Sequence, residues 1–362
     1  MEIYLPIVQV HIDVIFILFV SFAVGVLSGL FGVGGGFLMT PFLIFLGIPP
    51  VYAVPNEINN ILATSVSGSM THWFKNTLDY KMGLMIIIGG TVGTVLGIIT
   101  FTFFKETGKL SLIISLSYMY LLAIIGTLML IEGAGEIDAA RKKIILKKKL
   151  HTHYWIHGLP FKLRFPKSRL YESAFTPILL GVIVGFVAAL IGVGGAFLMV
   201  PAMIYLIGMP MNLIPGTSLF VTVFISALVT VLHAFQYGSI DLILVIVLVV
   251  GSIVGVQVGQ KVGQYLNSSH LKTLFAMLLC AVAIAIAYDT FFYEGVRKLK
   301  ETEIVSFENM NFFSKFIYKL SDSNPLLYGS FAIILAIVLG MIGAGARRLL
   351  SKYKSLFLIK KN

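Results

Sequence analysis

The sequence predicts an all-α polytopic membrane protein. Its two homologous helical repeats have broken helices at Gly-rich hinges, the second repeat is inverted, and one extra C-terminal span follows. Three observations predict this. The chain is 58% hydrophobic and only 12% charged, against roughly 25% charged in a soluble domain. Its ionisable residues fall mainly between long apolar runs, and none of those runs has the alternation of a barrel strand. Second, Phe31–Pro41 reads FGVGGGFLMTP and Ile191–Pro201 reads IGVGGAFLMVP, with eight of eleven positions identical at an offset of 160. Third, the correspondence continues in order. Pro50 and Pro55 match Pro210 and Pro215, His72 matches His233, Asp79 matches Asp241, and Gly89, Gly93 and Gly97 match Gly251, Gly255 and Gly259, while the offset drifts only to 162. Apolar bias produces scattered matches, but not prolines, glycines, a histidine and an aspartate in register.

About 20 apolar residues cross a bilayer. The first repeat, residues 12–131, opens with the full span Ile12–Leu30, too long for a signal-peptide core and without a cleavage pattern, so it is expected to be retained. The hinge Gly32–Gly36 follows, then a half-length segment, Phe37–Leu46. The stretch GIPPVYAVP carries prolines that oppose regular helix. Three spans complete the repeat: Asn56–Phe74, Gly83–Phe104 and Ser111–Ile131. The second repeat, residues 176–292, is read likewise: Pro177–Ile191, the half segment Phe197–Ile207, Gly216–Phe235, Leu242–Val262 and Leu271–Phe292. Residues 326–346 form the extra span. Between these blocks lie a basic linker, 132–175, a polar linker, 293–325, and a basic tail, 347–362.

The net charge of +11 collects in membrane-flanking segments, so it is read as orientation and not as nucleic-acid affinity. Lysine and arginine favour the cytoplasmic side. The linker and the tail are therefore expected inside the cell, and the N-terminus, with no lysine or arginine before Asp13, outside. If each half segment crosses the membrane, a repeat has five crossings, and an odd number inverts the second repeat; if the half segments are re-entrant, each repeat has four crossings and the basic tail lands outside, so the charge rule favours inversion. The expected location is the plasma membrane. The single cysteine, Cys280, excludes an internal disulfide.

Candidate site residues fall in two constellations. At the hinges, consecutive glycines free backbone N–H groups at the start of the following half helix, an arrangement that favours an anion. The candidates are Gly34, Gly35, Gly36, Gly194 and Gly195; the alternative reading is close helix crossing through small residues. At the helix start after each proline-bearing loop stand Thr217 and Ser218 in the second repeat, and Asn56 and Glu57 in the first. The hydroxyls cap the helix or bind an oxyanion. A carboxylate beside an anion site repels the substrate unless protonated, which makes Glu57 a proton-coupling candidate; the alternative is a solvated side chain at the aqueous rim. His72 and His233 are further proton-coupling candidates, or else anchors at the headgroup level. Asp79 and Asp241 are read as helix caps, and the glycine ladders as packing surfaces.

No catalytic pattern is present, and the protein is not read as an enzyme. There is no HExxH zinc pattern and no phosphate-binding GKS or GKT, and Phe37 stands where a dinucleotide fingerprint needs its third glycine. His151, His153 and His157 lie in a basic linker that repels cations, so no metal and no cofactor are expected.

The paired phrases Gly32–Gly36 and Gly192–Gly195, each followed by a proline, and the run Pro215–Leu219 resemble the sulfite exporter TauE/SafE family, also called the toluene sulfonate uptake permease family. The resemblance covers Val14–Phe292. It implies a proton-linked secondary carrier of sulfur-containing anions such as sulfite or organosulfonates. The first repeat departs from the pattern, with Asn56-Glu57-Ile58 in place of Gly-Thr-Ser. The expected partners are thus the lipid bilayer and a small anion substrate, with no nucleic acid; nothing in the sequence specifies an oligomeric state. Three rivals remain: a cation-coupled carrier of another small solute, a non-transporting membrane sensor that uses the basic linker as its output and, as the weakest, an intramembrane enzyme.

Overall fold

The computed structural model describes residues 2–31, 38–141, 161–210, 212–263, 268–292, 319 and 323–359. Among them are eleven helices and two short hairpins. The first repeat contains α1 (Val14–Phe31), α2 (Met39–Phe45), α3 (Pro50–Phe74), α4 (Tyr80–Glu106) and α5 (Leu110–Arg141). The second contains α6 (Phe175–Ile191), α7 (Ala196–Ala202) running into a π-helical turn (Met203–Ile207), α8 (Ile214–Tyr237), α9 (Leu242–Gly263) and α10 (Ser268–Phe292). The last helix is α11 (Pro325–Ile359). Five helices, α4, α5, α8, α9 and α11, contain stretches long and apolar enough to cross a membrane. The chain is an all-α polytopic membrane protein, as the composition predicts.

α3 has the length of a span but not the apolarity, because it contains Asn56, Glu57, Asn59 and Asn60. Its solution is to hide: every residue from Ala53 to Val66 is buried. Polar side chains are costly against hydrocarbon, so such a helix belongs in the middle of a bundle.

Each repeat begins with a hairpin that the apolar pattern does not reveal. β1 (Glu2–Leu5) pairs with β2 (Val10–Asp13), and β3 (Lys162–Phe165) pairs with β4 (Leu170–Ser173). Glu2 lies opposite Asp13 and Lys162 opposite Ser173, the same register displaced by 160. Even the left-handed turn residues correspond, Gln9 at φ 59° and Arg169 at φ 54°. The segment expected as linker thus starts inside α5, which continues to Arg141, and ends as a hairpin of the second repeat.

The repeats are interleaved. α1 packs along α9, α6 along α4, α3 along α8 and α5 along α10. Gly25 and Gly29 of α1 face Ser252 and Val256 of α9, and Gly89 and Gly93 of α4 face Ile178 and Val182 of α6, so these non-equivalent partners run parallel. Equivalent partners do the opposite. Gly68 of α3 meets Leu219 of α8 while Gly216 of α8 meets His72, and Gly126 of α5 meets Cys280 while Gly133 meets Thr273 of α10. Equivalent helices that run antiparallel are related by a two-fold axis across the bundle, which makes the repeats inverted. The starts of α6 and α8 then lie at the same end. Since α6 rises about 25 Å, residues 192–213 must return along its length, which is the five-crossing arrangement. α11 has no counterpart. It lies against α3 and α8, with Gly340 over Ala63 and Gly329 over Ala234.

Candidate functional site

The site starts from the way α3 begins. Pro50 occupies the first turn, where its missing N–H is harmless. Pro55 lies inside the helix, where its missing N–H breaks the ladder. The next side chain ties this turn to the other repeat: Asn56 Nδ2 donates to the Tyr52 carbonyl at 2.7 Å and to the Ser239 carbonyl at 3.1 Å, while its Oδ1 accepts from the Asp241 amide at 2.7 Å. Asn56 therefore joins α3 to the start of α9, and its hydrogen-bonding capacity is committed.

Glu57 is fully buried, not at an aqueous rim. Its hydrogen-bond partner among the described residues is Asn60, whose Nδ2 lies 3.3 and 3.2 Å from the two carboxyl oxygens and 3.1 Å from Ser252 Oγ of α9. Tyr118 of α5 is close enough to couple electrostatically to Glu57 and is buried beside Thr40 of α2. The Tyr118 and Thr40 hydroxyls and Asn60 Oδ1 make no well-formed hydrogen bond.

The second hinge packs onto this part of α3. Gly192, Gly194 and Gly195 take φ of 85°, 69° and 76°, the left-handed region open to glycine. Their turn ends α6 and starts α7, where the Met199 amide donates to the Gly195 carbonyl at 2.9 Å. The amides of Val193, Gly194 and Gly195 make no backbone hydrogen bond among the described residues. A Cβ added to Gly194 would lie 2.5 Å from Ile61 Cγ2, and one on Gly192 would lie 3.1 Å from Val54 Cγ1 and 3.3 Å from Thr40 Oγ1. Val54, Glu57 and Ile61 stand on successive turns of α3. Free amides from one repeat thus approach the helix stripe that carries the buried carboxyl of the other.

The remaining predicted residues lie elsewhere. Gly34, Gly35 and Gly36 are outside the described residues, as are His151, His153 and His157. Thr217 and Ser218 are near the far end of α3, where the neighbouring Gly216 meets His72 and Thr77. Thr217 Oγ1 accepts from the Asp79 amide at 3.0 Å and donates to the Leu213 carbonyl at 2.8 Å, so it mirrors Asn56. Ser218 Oγ donates to the Pro215 carbonyl at 3.1 Å. The two histidines part ways. His72 is half-buried and bonds Thr77 Oγ1 through Nδ1 at 2.9 Å. His233 is fully buried, with Nε2 3.1 Å from the Ala189 carbonyl just before the second hinge, its ring edge-on to Phe101 and its Nδ1 unpartnered.

Asp79 and Asp241 cap helices as expected, at Met82 for the first and at Ile243 and Leu244 for the second. Each also grips the hairpin of the opposite repeat. Asp241 Oδ2 accepts from the Ile7 amide at 3.0 Å, and Asp79 Oδ2 accepts from the Ser168 amide at 3.1 Å and from its hydroxyl. Sequence reasoning missed these clasps. Pro6 and Pro166 at the offset of 160 were the available signal. It also missed Tyr118 and Ser252, which belong to no motif.

Comparison with known proteins agrees with this architecture. A profile of the family described as "Sulfite exporter TauE/SafE" matches residues 17–286. The "Probable membrane transporter protein YjnA" of Bacillus subtilis (strain 168) is 29% identical over 231 residues, 63% of this chain and 82% of that protein. The "Probable membrane transporter protein YunE" of the same organism is 30% identical over 218 residues, 56% and 71% of the two chains. The "Probable membrane transporter protein MJ0441" of Methanocaldococcus jannaschii is 27% identical over 195 residues, 51% and 59%. No solved structure matches significantly. With inverted, interleaved repeats on one side and a family profile spanning both of them on the other, the chain belongs to the TauE/SafE sulfite exporter family of membrane transporters.

Proposed function

We infer that the protein is a proton-coupled secondary transporter of small sulfur-containing anions, such as sulfite or organosulfonates, working by alternating access between its repeats. The observation that carries this reading is the approach of the second hinge to the Glu57 stripe of α3. Left-handed glycines present amides without a lysine or arginine, a donor set that holds an anion and releases it. A buried carboxyl one helical turn away gives the transported charge a proton to travel with. The two halves of this site come from different repeats, so movement of one repeat against the other changes it directly. Asn56 and Thr217 bridge the repeats at opposite ends and serve as pivots. Ser218 and His72 contribute at the far end.

The test is flux in proteoliposomes. Sulfite or organosulfonate uptake should rise when a pH gradient is imposed, and Glu57→Gln should abolish the response. Flux indifferent to the gradient in the unaltered protein removes proton coupling. Sodium-driven flux of a neutral solute, with no anion flux, replaces the reading altogether.

A further inference from the structure

The polar cluster around Glu57 occurs once in a molecule built twice. At the offsets that relate the repeats, Thr40 is matched by Val200, Asn60 by Val221, Tyr118 by Cys280 and Ser252 by Gly90, while Glu57 falls opposite the Thr217-Ser218 pair. None of these counterparts carries a carboxyl or amide side chain, and Thr217 and Ser218 spend their hydroxyl protons on the Leu213 and Pro215 carbonyls. The packing does not demand an amide there, since Val221 is fully buried in the position that matches Asn60.

Thr40, Glu57 and Asn60 are fully buried, and Tyr118 and Ser252 nearly so. Asn60 ties Glu57 to Ser252 by its amide N–H groups. Its own oxygen makes no hydrogen bond, and the neighbouring Thr40 and Tyr118 hydroxyls reach no third group. Buried orphan polar atoms destabilise a fold, so their concentration beside the one carboxyl calls for an occupant. A metal cation needs several inward-facing oxygens, and here an N–H donor already faces both carboxyl oxygens. A proton needs only one oxygen lone pair.

We propose that Glu57, Asn60, Ser252, Tyr118 and Thr40 form the single coupling site of the transporter, which takes up one proton per cycle, while the second repeat provides none. This rests on the proton-linked reading above. The proton binds a Glu57 carboxyl oxygen on one side of the cycle and leaves to water on the other. Among the described residues, the titratable side chain of another element near enough to interact electrostatically with Glu57 is Tyr118 of α5. α2, α9 and the second hinge bring Thr40, Ser252 and glycine. Asn60 and Ser252 fix the carboxyl, and the Tyr118 and Thr40 hydroxyls are placed to pass the proton on.

Infrared spectroscopy of the full chain in lipid, titrated with pH, tests the site without substrate. A buried protonated-carboxyl band should vanish in Glu57→Gln, and that same band should shift in Tyr118→Phe. If Glu57→Gln does not insert, the Tyr118→Phe shift decides. A spectrum that loses no band in Glu57→Gln, or a Glu57 band unmoved by Tyr118→Phe, overturns the proposal. Proton and sulfite uptake measured together in proteoliposomes should give a ratio of one, and a ratio of two overturns the single site. If sulfite is not transported, the substrate reading falls while the infrared result still decides the proton site.

Discussion

Gly194 and Ile61 meet where one repeat's hinge lies against the other repeat's α3, and two separate penalties protect that contact. A side chain at Gly194 must adopt φ 69°, which costs an L-residue about 1–2 kcal/mol, and its Cβ must displace Ile61. Gly194→Ala should therefore lower thermal stability in detergent and reduce flux. Adding Ile61→Ala should recover the steric share but not the backbone share, so the double variant regains only part of the loss. Full recovery would show that the left-handed turn is dispensable. At this scale the sequence was informative where chemistry is carried by backbone freedom. Glycine clusters announce themselves, whereas Tyr118 and Ser252 acquire their importance from neighbours more than 50 residues away. Glu57 was legible as a titratable candidate, but its burial followed only from the helices that surround it.

Among the elements, α4 and α9 show how glycine spacing becomes architecture. A Cβ on Gly93 would sit 2.7 Å from the Val182 carbonyl carbon of α6, while one on Gly135 of α5 meets nothing within 4 Å. Overpacking a close helix crossing typically costs about 1–3 kcal/mol. Gly93→Leu should thus lower the melting temperature and the yield of folded protein, and Gly135→Leu should leave both near their starting values. Equal effects would mean that the ladder is not a contact surface. The ladders, the caps at Asp79 and Asp241 and the half segments were all readable from spacing. The start of α3 was not. Its prolines argued for an irregular stretch, yet the helix begins at Pro50, where a first-turn proline is tolerated, and runs on through Pro55 with Asn56 anchored to the Tyr52 and Ser239 carbonyls. The hairpins were hidden as well, since each is too short and too polar to register beside a run of apolar residues.

For the molecule as a whole, inversion puts the two hairpins at opposite ends of the bundle, each clasped by an aspartate of the other repeat. The charge distribution expects the N-terminal hairpin outside the cell and the basic tail inside. In a Cys280→Ala background, Glu2→Cys should react with an impermeant thiol reagent in intact cells, and Lys361→Cys only after permeabilisation. Labelling of Lys361→Cys in intact cells would reverse the assignment of the tail. The two-fold plan was legible from duplicated motifs because it is written in glycine and proline. The placement of α11 against α3 and α8 was not, because nothing repeated marks an unpaired helix.

The clasp between Ile7 and Asp241 joins residues 234 positions apart, and this sets a timetable for synthesis. At about 5–20 residues per second, the N-terminal hairpin waits roughly 10–50 s for its partner to be made. In that interval Gly25 and Gly29 of α1 have no α9 to meet, and Glu57 and Asn60 have no Ser252. The first five helices therefore enter the membrane as an unfinished half, with polar α3 still uncovered. Arrest of the chain before Asp241 leaves an incomplete bundle rather than a small carrier, and such a product is a natural target for membrane quality control.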